Sequence, residues 1–382
     1  MSAAREFDAR ARQLFGDFCG YPPAAVAVAP GRMNIIGEHT DYNDGWVLPA
    51  AIDRFVGVAF RPRRDAQVVL QSDRYPTPVR LPRLPDHKQG AWYDYVLGVA
   101  HQVDARHGST TGFDAVVVAD LPVGSGLSSS GALEVAFAIA CTAARGLQIP
   151  PAELAALCQQ AENEFIGART GIMDQFTALL ARAGNALLLD CRSLAYENLP
   201  LPDGRYSWLL ADTRVRHELA GSAYNERRAE CERAAAALGL TSLRDASEAD
   251  LDRIQDPLLR RRARHVVTEN GRVLAAGDAL RRREPRALGP LLDASHTSLQ
   301  RDFAVSSPEL DALVDLARGV PQVIGARMMG GGFGGCVIVL LEATGLDDLE
   351  QHLQMGFTDQ FHRAAEFYRV RSVDGTMPAR SR

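Results

Sequence analysis

Lysine is almost missing from this chain. Of its 42 basic residues 41 are arginine, and Lys88 is the single lysine. It stands in Pro85-Asp86-His87-Lys88-Gln89-Gly90, which reads as a turn. A phosphate loop of the Gly-x-x-x-x-Gly-Lys type is absent. Schiff-base chemistry or a polylysine membrane patch would rest on Lys88 alone. Cysteine is sparse too: the six are scattered, and the closest pair, Cys141 and Cys158, rules out a Cys-x-x-Cys zinc or redox motif. Such spacing in a chain of 382 residues fits reduced thiols. There is no basic excess, since 42 − 47 gives a net charge of −5. That argues against a protein built to grip nucleic acid. Long apolar runs are lacking as well. The longest, Ala132 to Ala144, is broken by Glu134 and is too short to span a bilayer. Arg5, Glu6 and Asp8 stand where a signal peptide needs apolar residues. A cytoplasmic protein that binds neither membrane nor nucleic acid is expected.

What is present is ordinary globular material, 46% hydrophobic and 23% charged, enough for about two domains. Phe7, Ala11, Leu14, Phe15 and Phe18 recur at helical spacing. Strands are expected at Ala25 to Ala29 (stopping at Pro30-Gly31), Arg54 to Phe60, Gln67 to Gln71 and Phe113 to Ala119, and a long helix from Ser129 to Ala144. Pro150 and Pro151 open a helix running to about Phe165. Short strands follow at Ala186 to Leu189 and Ser207 to Ala211. His217 to Arg318 reads as mostly helical, and strands close the chain at Cys336 to Leu341 and Phe367 to Val370. Strands and helices mix without regular βαβ alternation, which favours an α+β fold over a doubly wound sheet. A domain boundary is placed in Leu199 to Gly204, dividing the chain into 1–205 and 206–382.

Four segments carry candidate chemistry. The first, Leu121 to Gly131, contains Gly124, Ser125, Gly126, Leu127, Ser128, Ser129 and Ser130 between a strand and a helix. Its glycines admit close backbone approach, and the helix start offers unpaired N–H groups to an anion. The plainer reading is a serine-capped helix. The second, Ala29 to Gly45, packs Glu38, His39, Asp41, Asn43 and Asp44 into seven positions. That density suits a small polyhydroxylated ligand, or a solvated polar turn. Gly45 comes one residue early for an EF-hand, and no second histidine is near for zinc. The third, Gly325 to Cys336, holds five glycines in the six residues from Gly330 to Gly335. A dinucleotide fingerprint needs a helix after the glycines, whereas a strand-like run follows here. The glycines imply close approach to a ligand or to another loop. The fourth is Gly171 to Phe176, where Asp174 lies in an apolar stretch and needs a partner or a task. The arginines from Arg260 to Arg264 and Arg281 to Arg283 read as a solvated helix face.

In this order the segments resemble the GHMP superfamily of small-molecule kinases, and within it the galactokinase family. Gly31 to Asn43 is similar to that family's sugar signature, Gly124 to Gly131 to the superfamily phosphate loop and Gly325 to Cys336 to its third motif. Further similarity lies at Gly171 to Phe176, Ser222 to Arg228 and Ser295-His296. The resemblance implies a two-domain fold with the site in the cleft between domains. It implies ATP-dependent phosphorylation of D-galactose at C1, with ATP and Mg²⁺. A monomer that binds its small-molecule substrates and neither nucleic acid nor membrane is expected. Residue by residue, it implies that Glu38, His39, Asp41, Gly171 and Tyr224 hold the sugar. Asp174 faces the C1 hydroxyl with Arg32 beside it, either taking the proton or orienting the sugar. Ser130 and Glu162 hold Mg²⁺, Trp92 and Tyr95 sit near adenine, and the backbone from Gly124 to Ser130 wraps the phosphates. Gly131, Thr170, Ser307 and Met329 depart from residues common in the family. The rivals are a kinase for N-acetylgalactosamine or L-arabinose, and a non-catalytic sensor, against which the intact Ser128 to Ser130 and Asp174 weigh.

Overall fold

The computed structural model describes residues 3–108, 112–122, 124–216 and 220–376. Val123 of the phosphate loop, and His217 at the start of the expected helical region, lie outside the described residues. Twelve strands are described: β1 (Ala25–Asn34), β2 (Trp46–Val47), β3 (Pro49–Pro62), β4 (Val68–Ser72), β5 (Val79–Leu81), β6 (Phe113–Ala119), β7 (Asn185–Asp190), β8 (Tyr196–Pro200), β9 (Tyr206–Asp212), β10 (Val323–Met328), β11 (Cys336–Glu342) and β12 (Glu366–Val370). The longer helices are α1 (Ala3–Cys19), α2 (Asp94–His107), α3 (Ser129–Ala144), α4 (Pro151–Ala161), α5 (Met173–Leu180), α6 (Ala220–Leu238), α7 (Pro257–Arg281), α8 (Leu288–Ser298), α9 (Pro308–Arg318) and α10 (Leu346–Phe361). The fold is α+β.

The strands form three sheets, ordered β1-β3-β6-β4-β5, β10-β11-β9-β12 and β2-β7-β8. In the first sheet only β4 and β6 are parallel. Side chains alternate across a strand, so β6 serves two cores. Val116 and Val118 pack under α1 with Phe7, Ala11 and Phe15, while Ala115 and Val117 face the larger core that includes α3. This explains why Phe113 to Ala119 reads as a nearly unbroken apolar run. The four-stranded sheet works the same way. Leu209, Ala211, Val337 and Val339 pack on the core formed with α9 and α10, and Leu210, Ile338 and Leu340 join the first sheet's core.

Several expectations change. β1 does not stop at Pro30-Gly31; its register slips between Pro30 and Arg32 and the strand continues to Asn34. A bulge of this kind re-aims side chains. Gly31 permits it, because a Cβ there would collide with Leu121. The helix expected up to Phe165 narrows to α4, followed by a widened turn over Glu162–Ile166 in which Gly167 N–H reaches back to the Glu162 carbonyl at 3.1 Å. Leu199 and Pro200, placed at the domain boundary by sequence, close β8. Arg262 is not on a solvated face; it is buried and pairs with Glu230 at 2.7 Å. None of the six cysteines is bridged. Among the described residues no helix is long and apolar enough to cross a membrane.

Candidate active site

Three connections meet at one cleft of about 600 Å³. One follows β1, one joins β6 to α3, and one joins β10 to β11. At the second, Gly124 (φ 70°), Gly126 (φ 81°) and Ser128 (φ 62°) all lie in the left-handed region. Ser128, a residue that pays for this conformation where glycine does not, caps α3 with its Oγ buried and unpartnered among the described residues. An unfilled hydroxyl beside the free N–H groups of a sixteen-residue helix is suited to an anion's oxygen atoms. Gly124, Gly126, Ser128, Ser129 and Ser130 line the cleft. The side chains of Ser125 and Leu127 do not. Ser125 Oγ donates to the Pro122 carbonyl at 2.9 Å, and Leu127 is buried. The Leu127 carbonyl accepts from Arg32 N–H at 3.2 Å.

The glycine-rich segment after β10 presses on this loop. A Cβ on Gly330 would stand 3.1 Å from Gly126 Cα, and one on Gly335 would stand 2.9 Å from the Ser125 carbonyl. Gly330, Gly331 and Gly332 also line the cleft, so the glycines serve both another loop and a ligand space.

At one end, Asp174 stands in the first turn of α5 against Arg32 of β1. Arg32 Nε and Nη2 both reach Asp174 Oδ1, at 2.8 and 2.7 Å. No described residue bonds Oδ2. Arg32 Nη1 donates to the Gly126 carbonyl, so one guanidinium touches both Asp174 and the phosphate loop. Gly131 is close here: a Cβ on it would lie 2.9 Å from Asp174 Cβ. Asp41 lies beside Gly171, where any Cβ would strike its carboxylate. Burial, and next the charge of Asp174, push the Asp41 carboxyl up to about 6. Glu38 accepts from Gly330 N–H at 2.9 Å and from Arg327. Burial raises its carboxyl pKa against the opposing Arg327 charge. His39 is held at both nitrogens, Nε2 to the Gly331 carbonyl at 3.2 Å and Nδ1 to Tyr42 Oη at 2.8 Å. A carbonyl only accepts, so Nε2 carries the proton and the tyrosine donates to Nδ1. Burial pushes His39 down to about 3, leaving it neutral. The Tyr224 ring lies 5.2 Å from that of His39.

Glu162 lies across the helix start from Ser130, with Ser130 Oγ 3.3 Å from Oε1. Thr170 Oγ1 donates to Oε2 at 2.7 Å, which gives the threonine at that departing position a use. Burial pushes Glu162 up to about 7. Two oxygens at the mouth of an anion cradle fit a hard divalent cation. Among the described residues no group of three His, Cys, Asp or Glu side chains could hold a metal. A cation here would share its remaining ligands with phosphate and water. At the far end Trp92 and Tyr95 line the cleft, and the Tyr75 ring lies parallel to Trp92 at 5.3 Å.

Sequence reasoning missed the residues that hold this arrangement. Arg327, fully buried, donates to the Asn34 and Ile35 carbonyls at 2.9 and 2.7 Å as well as to Glu38. His265 Nε2 bonds the Glu38 carbonyl at 3.1 Å, and Glu269 accepts from Gly37 N–H at 3.0 Å. Tyr42, Tyr75, Glu134 and Gln175 were also missed. An arginine inside the apolar run before the glycines was the one available signal.

Comparison with known proteins bears on the same segments. The galactokinase galactose-binding signature matches residues 13–62, the GHMP kinases N terminal domain 94–182 and the GHMP kinases C terminal domain 278–354. A galactokinase of Roseiflexus sp. is 42% identical over 373 residues, 95% of each chain. The galactokinase of Homo sapiens is 43% identical over 387 residues, 97% of this chain and 96% of its own. The crystal structure of Lactococcus lactis galactokinase with galactose superposes with a TM-score of 0.91 at 33% identity, covering 97% of this chain and 99% of that one. Methanococcus jannaschii mevalonate kinase, at 17% identity and a TM-score of 0.66 over 91% of this chain and 98% of its own, shares the fold.

Proposed function

The chain belongs to the galactokinase family of the GHMP kinases, and we propose that it transfers the γ-phosphoryl group of ATP to the C1 hydroxyl of D-galactose, giving galactose 1-phosphate and ADP. The observation that carries this reading is Arg32, which bonds Asp174 on one side and Gly126 of the phosphate loop on the other. A hydroxyl at Asp174 and a phosphate on that loop are then neighbours across one guanidinium.

Phosphoryl transfer needs positioning and charge neutralisation more than covalent help. Glu38, Asp41 and Tyr224 hold the sugar hydroxyls, Gly171 leaves room for Asp41 to reach them, and His39 joins them by exchanging its Gly331 or Tyr42 bond for one to a hydroxyl. Asp174 Oδ2 takes the C1 hydroxyl proton as that oxygen attacks Pγ and the bond from Pγ to the β-γ bridging oxygen breaks. The α3 N-terminus and the backbone from Gly124 to Ser130 hold the phosphates, Arg32 offsets charge on the transferred group, and Trp92 and Tyr95 flank the base. Ser130 and Glu162 would hold Mg²⁺, which when bound neutralises phosphate charge. All strands of the first and third sheets precede residue 205 and all of the four-stranded sheet follow it, which supports a division into 1–205 and 206–382.

The test is an ATP- and Mg²⁺-dependent assay across D-galactose, galactosamine, N-acetylgalactosamine, glucose and arabinose. Preferential turnover of D-galactose to a 1-phosphate is expected. Turnover of another sugar alone would move the substrate, and binding without turnover would make the chain a sensor.

A further inference from the structure

Glu134 is a buried carboxylate that no step above uses. It lies one turn beyond Ser130 on α3, and among the described residues no cation pairs with it. Its bond is from Gln175 Nε2 to Oε2, at 2.9 Å. The same amide nitrogen donates its other hydrogen to Glu162 Oε2, at 3.1 Å. Two carboxylate acceptors on one nitrogen fix the amide's orientation, because a flipped amide would turn its oxygen on both. Two buried atoms remain without partners among the described residues, Glu134 Oε1 and Gln175 Oε1. Burial drives the Glu134 carboxyl well above the ordinary range, and next the charge of Glu162 does the same. Protonated, the Glu134 carboxyl gains a donor, the kind of group that both of these oxygens lack.

Seen from Glu162, the arrangement has a direction. Thr170 and Gln175 both donate to Oε2 from behind, which leaves Oε1 toward Ser130. A carboxylate at a widened turn has several rotamers, and two fixed donors on one oxygen select one. Gln175 also follows Asp174 in the chain, so one turn of α5 carries both the cleft aspartate and the amide behind Glu162.

We propose that Gln175, anchored on Glu134, is a positioning residue that holds the Glu162 carboxylate in its metal-facing orientation. This rests on the assignment of Ser130 and Glu162 to Mg²⁺. Partners of this kind are typically worth roughly 10–100-fold in metal affinity.

The experiment measures AMP-PNP affinity by titration calorimetry, in EDTA and in excess Mn²⁺, for the full chain and its variants. The ratio of the two affinities reads the metal's share, and the EDTA value reports whether the nucleotide site is folded. Gln175→Met and Glu134→Met keep side-chain volume; each is expected to cut the ratio by about tenfold or more with the EDTA affinity unchanged. Glu134→Gln, which can still pair with the amide, is expected to stay within about twofold of wild type. A normal ratio in Gln175→Met overturns the proposal. Equal loss in Glu134→Gln and Glu134→Met also overturns it, since Glu134 would then act through its charge. Glu162→Gln is the control: loss there with none in Gln175→Met sinks the positioning role alone, and no loss there sinks the metal site and this proposal with it.

Discussion

Replacing Asp174 with asparagine separates proton acceptance from simple orientation. The exchange keeps Oδ1 as an acceptor, so Arg32 Nε and Nη2 retain their partner at 2.8 and 2.7 Å. It removes the charge and makes Oδ2, the oxygen without a described partner, into an amide that cannot take a proton. A positioned base contributes ~10²–10⁴-fold. We therefore expect kcat to fall by about 10³, equivalent to ~4 kcal/mol in the barrier. The cost to folding is smaller. The guanidinium is 7% exposed and the carboxylate 26%, and exchanging a charge-assisted for a neutral hydrogen bond there costs ~1 kcal/mol. That corresponds to a melting shift of about 2 °C in a chain this large. ADP release at saturating galactose and ATP, with a calorimetric melt alongside, reads both quantities. A kcat within about tenfold of wild type in a folded variant would refute proton acceptance, because a residue that only orients Arg32 and the sugar is nearly replaced by asparagine.

Further perturbations test the remaining assignments. Ser130→Ala and Glu162→Gln are each expected to raise the Mg²⁺ concentration for half-maximal rate by about tenfold or more, and an unchanged requirement in both would remove them from the metal site. Gly171→Ala sets a methyl against the Asp41 carboxylate, so the galactose KM should rise by about tenfold while the ATP KM holds; equal changes in both would indicate general distortion. With its carboxyl pushed up to about 6, Asp41 loses its charge as pH falls through that value, so kcat/KM for galactose should drop below about pH 6 and Asp41→Asn should lose that limb. The stability sign is opposite. The folded state binds this proton more tightly than the unfolded chain, so Asp41's contribution to stability grows as pH falls from about 7 toward 4, which calorimetry on wild type and Asp41→Asn would show. Arg327→Met leaves Glu38 buried without its cation and should cost about 3–5 kcal/mol, whereas an unshifted melt would mean Arg327 is not what holds the sugar segment.

Much of the fold was readable because its signals are local. The helical spacing of Phe7, Ala11 and Phe15 buries one face of α1, and the apolar run in β6 is buried on both faces. Corrections fell where tertiary packing overrides a local rule. Pro30-Gly31 looks like a stop, yet the strand continues through a bulge that Gly31 allows, since a Cβ there would collide with Leu121. Arg262 sits among exposed arginines in sequence, yet it turns inward to Glu230.

The same division runs through the site. The amino-acid sequence alone determined the phosphate loop, the dense polar segment after β1 and the third glycine segment, because backbone freedom and the local density of hydroxyl-binding groups are properties of a few consecutive residues. It also determined which side chains to expect in the cleft. Only the tertiary structure decided which of them face it. Ser125 and Leu127 turn inward from a loop whose neighbours line the cleft. It also decided what holds the sugar segment: His265, Glu269 and Arg327 reach residues 34 to 38 from distant positions. Their task is to satisfy buried carbonyl, N–H and carboxylate groups, and no spacing in the chain records which distant side chain will meet such a need.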